Sequence, residues 1–508
     1  MTHPISKSDF KKFIQCPEYF WFDTNRPDVL QEKELNDFEK ALAEQGKMVE
    51  KQFYLLYPDL KTIASKGVDA LEETRSLERR GVLYISQAAF AAEGFFAQSD
   101  LILFRGGKHV DLYEIKSGSS SQITESGENG QAPSRKEYVD DLSFQYLVAS
   151  KAGYVVDKTF LVELNKDYTR HGKPNPEQLF NITDITTEVK QRTAAIEQLM
   201  LQAKTKSTDS QQPVTCECKY KSRKNQCPAF PYLHPEMTGY TVHDLANFGK
   251  STKRLISLID SNRFRIEDVP ADHDLTDGFR DQVLSWNQFG EIIRKEVLQA
   301  FLSTLEYPLY FLDYETYAPA VPLFDGTKPY QQIPFQYSLH IIHAAGGEPE
   351  HREFLHTDPS NPIEFFSRRL KFDIGDTGSV IVWNKSFEGK CNASLAEALP
   401  ELAEFLLGIN RRFFDLMEVV SKRMYVHKDF RGRYSIKKVL PVLVPELTYS
   451  TLAIGDGGTA TSAWGRMVFE TPDEIEKQTI QEHLLEYCKL DTLAMVEIYK
   501  KINERLNQ

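Results

Sequence analysis

The run LYFLDYE, residues 309–315, is the feature that most limits what this chain can fold into. Its apolar positions read as a strand buried in a sheet. Strand side chains alternate, so Asp313 and Glu315 share one face. A buried ionised carboxylate is costly, and two neighbours repel each other unless a cation lies between them. The run therefore predicts a metal-binding face on a buried strand, with further ligands supplied from elsewhere in the chain.

A length of 508 residues exceeds one ordinary domain and suggests roughly two to four. The 41% hydrophobic and 12% aromatic content describes a folded, core-forming chain. No stretch reaches the roughly 18–20 apolar residues of a membrane span. The opening MTHPISKSDFKKF lacks the apolar segment of a secretion signal, so a cytoplasmic location and no membrane contact are expected. A net charge of −12 argues against a polybasic nucleic-acid binder. It leaves room for a nuclease, whose metal ligands are themselves acids.

Along the chain, residues 8–24 read as a capped amphipathic helix broken near Cys16–Pro17, and 33–57 as a longer helix. GFFAQSDLILF and KHVDLYEIKS flank the turn RGGK as a hairpin. Residues 117–137, rich in Ser and Gly, read as a mobile surface loop. A helix near 138–152 and a strand near 158–164 complete an α/β unit. A helical connector spans 236–305; a new unit then begins with strands near 309–315, 335–344 and 379–383 and ends in helices. The expected units are 1–235, 236–305 and 306–508, and no internal repeat is present.

Further acids accompany the opening pair. After the strand ending at Trp383 come Asn384, Phe387 and Glu388, at the start of a helix. Near the end, Tyr487 and Asp491 stand at i and i+4 on a helix, one above the other. The ordered series Asp-x-Glu, Glu, Tyr-x-x-x-Asp resembles the proofreading-type (DnaQ-like) 3′→5′ exonucleases of ribonuclease H-like fold. The resemblance implies that Asp313, Glu315, Glu388 and Asp491 hold magnesium or manganese in a two-metal site, and that Tyr487 orients the attacking water. Asp415, in RRFFDLMEVV, is a supporting candidate. The family usually has Asp where this chain has Glu388, which puts rate or metal preference in question. The chemistry suits the residue types: phosphodiester hydrolysis needs hard cations on oxygen ligands, and two ions ~3.5–4 Å apart stabilise both the attacking and the leaving oxygen.

The hairpin carries a second set. Asp100 and Glu114 are symmetric about Gly107, so antiparallel pairing sets them nearly opposite each other. Lys116 faces the same way as Glu114. This pattern resembles the restriction-endonuclease-like (PD-(D/E)xK) nucleases, in which the carboxylates bind magnesium or manganese and Lys116 would polarise water and stabilise charge. Glu50, after EQGKM, occupies the place where that family carries an acid or His ligand. Gln145, in DLSFQYLVAS, begins the helix motif of the RecB-like branch, although Ala149 replaces its usual Tyr.

Six cysteines occur. Cys391 and Cys488 read as small buried hydrophobes. Cys16, in FIQCPEYFWF, and Cys216, Cys218 and Cys227, in CECKYKSRKNQC, resemble the ligands of the iron–sulfur nucleases, the CRISPR adaptation exonuclease family and the AddB nuclease domain. That resemblance implies a 4Fe–4S cluster stapling the two ends of the domain. The Cys-x-Cys-x8-Cys spacing departs from the wider first gap of that family and leaves a tetrahedral zinc site as the alternative.

The whole order, a RecB-like iron–sulfur nuclease followed by a DnaQ-like exonuclease, resembles a bacterial family of fusion proteins whose C-terminal part is catalogued as a domain of unknown function. The fold class expected is α/β, a restriction-endonuclease-like domain plus a ribonuclease H-like domain. The function expected is a metal-dependent deoxyribonuclease with two independent sites, acting on DNA ends or single strands in repair or defence. The alternatives are a nucleic-acid-binding scaffold with one degenerate site and an RNA-processing exonuclease.

Overall fold

The computed structural model describes residues 3–30, 37–117, 135–245, 252–270 and 275–507. Most of the loop expected over 117–137 lies outside them. Mixed α/β architecture holds throughout, with two main sheets, one in each half of the chain.

The N-terminal sheet is built from β1 (Ile5–Ser6), β2 (Lys61–Thr62), β3 (Tyr84–Ala92), β4 (Phe95–Gly106), β5 (His109–Lys116), β6 (Val155–Leu164) and β7 (Phe180–Asp184). Strands β2 to β7 lie in sequence order, and β1 adds parallel to β4. The expected hairpin is β4–β5. Its turn needs left-handed backbone, which Gly106 and Gly107 supply at φ of 101° and 58°. The pairing sets Leu101 opposite Tyr113, and the next step along the ladder is Asp100 with Glu114. Val110 and Leu112 pack with Ile102 in one core, while Tyr113 and Ile115 enter a second core with Val49 and Phe53. Both faces of β5 are thus covered, and Glu114 is buried with its neighbours.

Helix Lys7–Gln15 crosses this lobe. Ser6 caps it by accepting from the Asp9 amide, and Asp9 returns the bond to the Ser6 amide. The chain then turns at Cys16 and continues as helix Pro17–Asn25, so the break expected near Cys16–Pro17 is present. The longer helix runs Asp37–Tyr54.

The described residues of 236–305 are largely helical, in short helices and tight helical turns. Helices Lys253–Asp260, Asp277–Leu284 and Lys295–Leu302 are each eight residues long, and β8 (Glu291–Ile293) pairs with β14 (Tyr425–His427). Much of this stretch packs on the cysteines: Leu255, Leu258, Ile266 and Phe279 share one core with Cys16, Cys216, Cys218 and Cys227.

The C-terminal sheet has the order β11 (Glu350–Leu355), β10 (Ile333–Ile342), β9 (Leu309–Tyr317), β12 (Ser379–Val382), β13 (Phe413–Asp415). Strand β9 is central, antiparallel to β10 and parallel to β12. Tyr310, Leu312 and Tyr314 enter one core with Phe366 and Leu395; Leu309 and Phe311 enter another with Ala494, Met495 and Ile498. Asp313 and Glu315 therefore leave β9 on the side covered by the long helix Glu474–Asn507. Pro334, which cannot donate to a ladder, sits where the β9–β10 register slips.

The two lobes touch. The segment after β9 inserts Ala320 and Val321 into the core around Phe53 and Tyr113. The Ala320 amide donates to Gln45 Oε1 at 2.8 Å, and the Tyr330 hydroxyl donates to the Ser117 carbonyl. Gly465 lets helix Gly457–Phe469 close on β9: a Cβ there would come within 2.9 Å of the Tyr317 ring.

Candidate functional site

In the N lobe the expected residues are neighbours, though the ligand atoms of Glu50, Asp100 and Glu114 do not all come within 4.8 Å of one another. Glu114 is saturated by cations and an amide: Lys7 Nζ donates to its two oxygens at 2.9 and 3.1 Å, Lys116 Nζ at 2.6 Å and Gln145 Nε2 at 2.5 Å. Burial pushes its carboxyl up, but the Lys7 and Lys116 charges win and hold it well below the usual range. Asp100 lacks such partners. It accepts the Ile115 amide at 2.8 Å, and burial, with the Glu114 charge behind it, pushes it up to about 7. Glu50 arrives from helix Asp37–Tyr54. Tyr54 joins it to β4: its single hydroxyl hydrogen is shared between Glu50 Oε2 at 3.3 Å and the Asp100 carbonyl at 2.9 Å. Burial also raises Glu50, against the Tyr54 hydrogen bond.

Three residues of this site escaped sequence reasoning. Asp141 accepts Lys116 at 3.1 Å and Lys11 at 2.7 Å. It stands one helical turn before Gln145, a spacing that could have revealed it. Lys7 and Lys11 are likewise one turn apart, but nothing local says what they face. Gln145 Oε1 is buried with no hydrogen-bond partner among the described residues. Ala149 is fully buried in the lobe's main core, where it packs as an apolar residue.

In the C lobe, Asp313, Glu315 and Cys488 bring ligand atoms within 4.8 Å of one another. Cys488 is buried as expected, but it is more than a packing residue: its Sγ lies 4.0 Å from Asp313 Oδ2. Burial and then the charges of Asp313, Glu315 and Asp491 push its thiol far up, so it stays protonated. Glu388 and Asp491 fall outside that tight group. Glu388 is buried in the first turn of helix Lys385–Ala398, and its charge acts on Tyr314, whose side chain leaves β9 on the face opposite Asp313. Asp491 accepts the Tyr449 hydroxyl at 2.6 Å, while Lys437 donates to the Tyr487 hydroxyl at 3.2 Å. Burial pushes Asp491 up to about 6, opposed by Tyr449, Lys437 and Tyr487. Tyr449 and Lys437 had no signal in the sequence. Asp415, the supporting candidate, accepts the Lys385 amide at 3.3 Å and the Met417 amide at 3.2 Å, at the entry to the helix that carries Glu388. Burial pushes it up to about 6.

A hydrogen-bonded row sets the rotation of the long helix. Thr492 Oγ1 lies 2.7 Å from Ser338 Oγ and 2.8 Å from His340 Nδ1, next to Asp491 in the chain. Burial pushes His340 from its ordinary 6.5 down to about 3, helped by His351, Lys489 and Lys500. The folded lobe thus holds His340 neutral, whereas the unfolded chain takes up a proton below 6.5. Its contribution is complete above that pH and is lost as pH falls towards 3. His340→Gln should flatten the acid dependence of stability by about one proton, or about 1.4 kcal/mol per pH unit. Urea unfolding at pH 7, 6 and 5 checks this, and equal slopes for both proteins would refute it.

The four cysteines Cys16, Cys216, Cys218 and Cys227 are all buried, with sulfurs within 4.8 Å of one another. Hydrogen bonds among the thiols pull Cys218 down, Cys16 first among its donors, and push Cys16 up. His234 Nε2 accepts the Cys216 amide at 3.2 Å and so fixes the loop at that ligand. Four convergent sulfurs fit a metal ion or an iron–sulfur cluster. The oxygens of Asp313 and Glu315 fit a hard divalent cation.

Residues 310–435, from β9 into the segment before Lys437, match the family model described as a domain of unknown function, DUF2779. An uncharacterized protein of Ureaplasma parvum is 27% identical over 228 residues, covering 39% of this chain and 31% of its own. An uncharacterized protein of Mycoplasma pneumoniae is 26% identical over 232 residues, covering 42% of this chain and 35% of its own. The chain thus spans about a third of the length of these relatives. No solved structure matches, and no helix among the described residues is long and apolar enough to cross a membrane.

Proposed function

We propose that the protein is a metal-dependent nuclease with two phosphodiesterase sites, one in a restriction-endonuclease-like N lobe and one in a ribonuclease H-like C lobe. The observation that carries this reading is the meeting of Asp100, Glu114, Lys116, Gln145 and Glu50 at one end of the β4–β5 hairpin. A structural ion pair would need one lysine and one acid. Here Lys116 bonds two carboxylates, Glu114 at 2.6 Å and Asp141 at 3.1 Å, and burial pushes the neighbouring Asp100 up to about 7.

Glu50, Asp100 and Glu114 would hold magnesium or manganese in the N lobe; Asp313, Glu315 and Asp491 would do so in the C lobe, with Glu388 as a more distant acid. The cation, when bound, supplies charge neutralisation at the phosphate and acidifies the attacking water. Lys116 then stands where negative charge grows on the phosphate, and the buried setting strengthens its effect. Tyr487, held by Lys437, orients water in the C lobe. The four cysteines hold an iron–sulfur cluster, with zinc as the alternative.

DNA ends or single strands are the proposed substrates. Purified protein offered labelled single- and double-stranded DNA and RNA, with magnesium or manganese, should degrade DNA and lose that activity in EDTA. Absence of metal-dependent cleavage on every substrate would overturn the reading, and cleavage of RNA alone would move it to an RNA-processing exonuclease.

A further inference from the structure

Glu114 has four acceptor positions on its two oxygens, and all four are taken. Oε1 accepts Lys7 at 2.9 Å and Lys116 at 2.6 Å; Oε2 accepts Lys7 at 3.1 Å and Gln145 at 2.5 Å. A divalent cation can therefore bind this carboxylate only by exchange with a donor. Three donors are available, and they differ in how firmly they are held.

Gln145 is fully buried in helix Arg135–Lys151 and has no way out of the site. Lys116 is tied twice more, to Asp141 at 3.1 Å and over the Tyr138 ring at 5.2 Å. Lys7 bridges both Glu114 oxygens and makes no other hydrogen bond or ion pair among the described residues. Its backbone, by contrast, is firmly placed. Ser6 pairs with Phe96 in the sheet and caps the helix, Lys11 grips Asp141 a turn later, and Cys16 ends the helix in the four-sulfur centre. The base of Lys7 is thus fixed, and its ammonium is the lysine donor with the fewer ties beyond Glu114.

We propose that Lys7 is a built-in exchangeable cation of the N-terminal site: its ammonium competes with a divalent metal for Glu114 and, once displaced, stays within reach of the substrate phosphate. This rests on the nuclease reading of that site. Competition of this kind makes metal binding weaker than the carboxylates alone would give, because the incoming ion must break two charge-assisted hydrogen bonds. It also keeps the net charge of the site near balance before the ion arrives, in place of buried carboxylates facing one another. Lys7 is thereby a positioning residue for the metal and a phosphate contact for the substrate.

The test is Mn²⁺ titration by calorimetry on the full chain carrying Asp313→Ala and Glu315→Ala, so that uptake reports the N lobe. In that background Lys7→Met and Lys7→Gln should each bind Mn²⁺ at least about tenfold more tightly, because a competing positive charge at hydrogen-bond distance is removed. Lys7→Arg, which keeps the charge, should restore affinity to within about threefold of the parent. A lysine with a purely structural role would leave Mn²⁺ affinity unchanged or weaken it, and either result overturns the proposal. So does unfolding of both neutral variants, judged by near-ultraviolet circular dichroism, because Lys7 would then be a fixed ion pair. Failure of the parent and of Lys7→Met alike to take up Mn²⁺, or uptake indifferent to Glu114→Ala, would strike down the nuclease reading of the lobe itself.

Discussion

Cys16→Ser is expected to empty the four-cysteine centre and to destabilise the N lobe. Cys216, Cys218 and Cys227 lie close together in the chain, so any metal they hold ties down little by itself. Cys16 would join the first helices to that segment, which begins 200 positions later in the chain. Binding of a structural metal by thiolates is worth about 10–16 kcal/mol in isolated peptides. Losing one of four ligands is a loss of several kcal/mol, comparable to the whole stability of about 5–15 kcal/mol typical of a folded protein. Protein purified without oxygen should be brown, with about four irons per chain; the variant should be colourless and melt at a clearly lower temperature. Stoichiometric zinc in a colourless wild type would assign the centre to zinc. Equal metal content and equal melting in both proteins would refute a role for Cys16. The damage should spread to the nearby carboxylates, because the helix ending at Cys16 carries Lys7 and Lys11 to Glu114 and Asp141.

Asp313→Ala or Asp491→Ala should abolish release of mononucleotides from 3′ ends. Each removes an oxygen ligand near the point where cation and phosphate would meet, and a loss of about 3–4 kcal/mol at the transition state lowers the rate by roughly 10²–10³-fold. The fold should survive in both, since neither side chain is an apolar core residue. The protonated Cys488 thiol faces Asp313 Oδ2 at 4.0 Å, so at that contact Asp313→Ala costs only the acceptor of a weak S–H donor. Glu114→Ala should delete a different set of products, and the double variant Glu114→Ala/Asp313→Ala should lose both. Additive loss is the expectation for distant sites. The segment after β9 touches both lobes, through Ala320 on Gln45 and Tyr330 on Ser117, next to Lys116. Loss of every product from either single substitution would mean that this contact couples the sites obligatorily, or that one site does all the work. Full activity in the double variant would place the chemistry elsewhere.

What the sequence determined by itself was the local geometry of each acid. Alternation along a strand put Asp313 and Glu315 on one face, and symmetry about Gly107 put Asp100 beside Glu114, because both depend only on backbone repeat and turn position. The helical break at Cys16–Pro17 was legible for the same reason. Residues that enter a site from a distant element carry no local mark. Lys7 reaches Glu114 from 107 residues away, and Tyr449 reaches Asp491 from a loop 42 residues earlier. The helical period of 236–305 was legible too, but not where its eight-residue helices begin and end, since apolar spacing marks type better than boundaries. Cys488 looked like packing because a buried thiol and a thiol beside carboxylates have the same sequence signature. Packing alone decided which acids are held by cations, as Glu114 is, and which are left to desolvation, as Asp100 and Asp491 are. Charge balance in a buried site is a sum over neighbours in space, and only the tertiary fold chooses those neighbours.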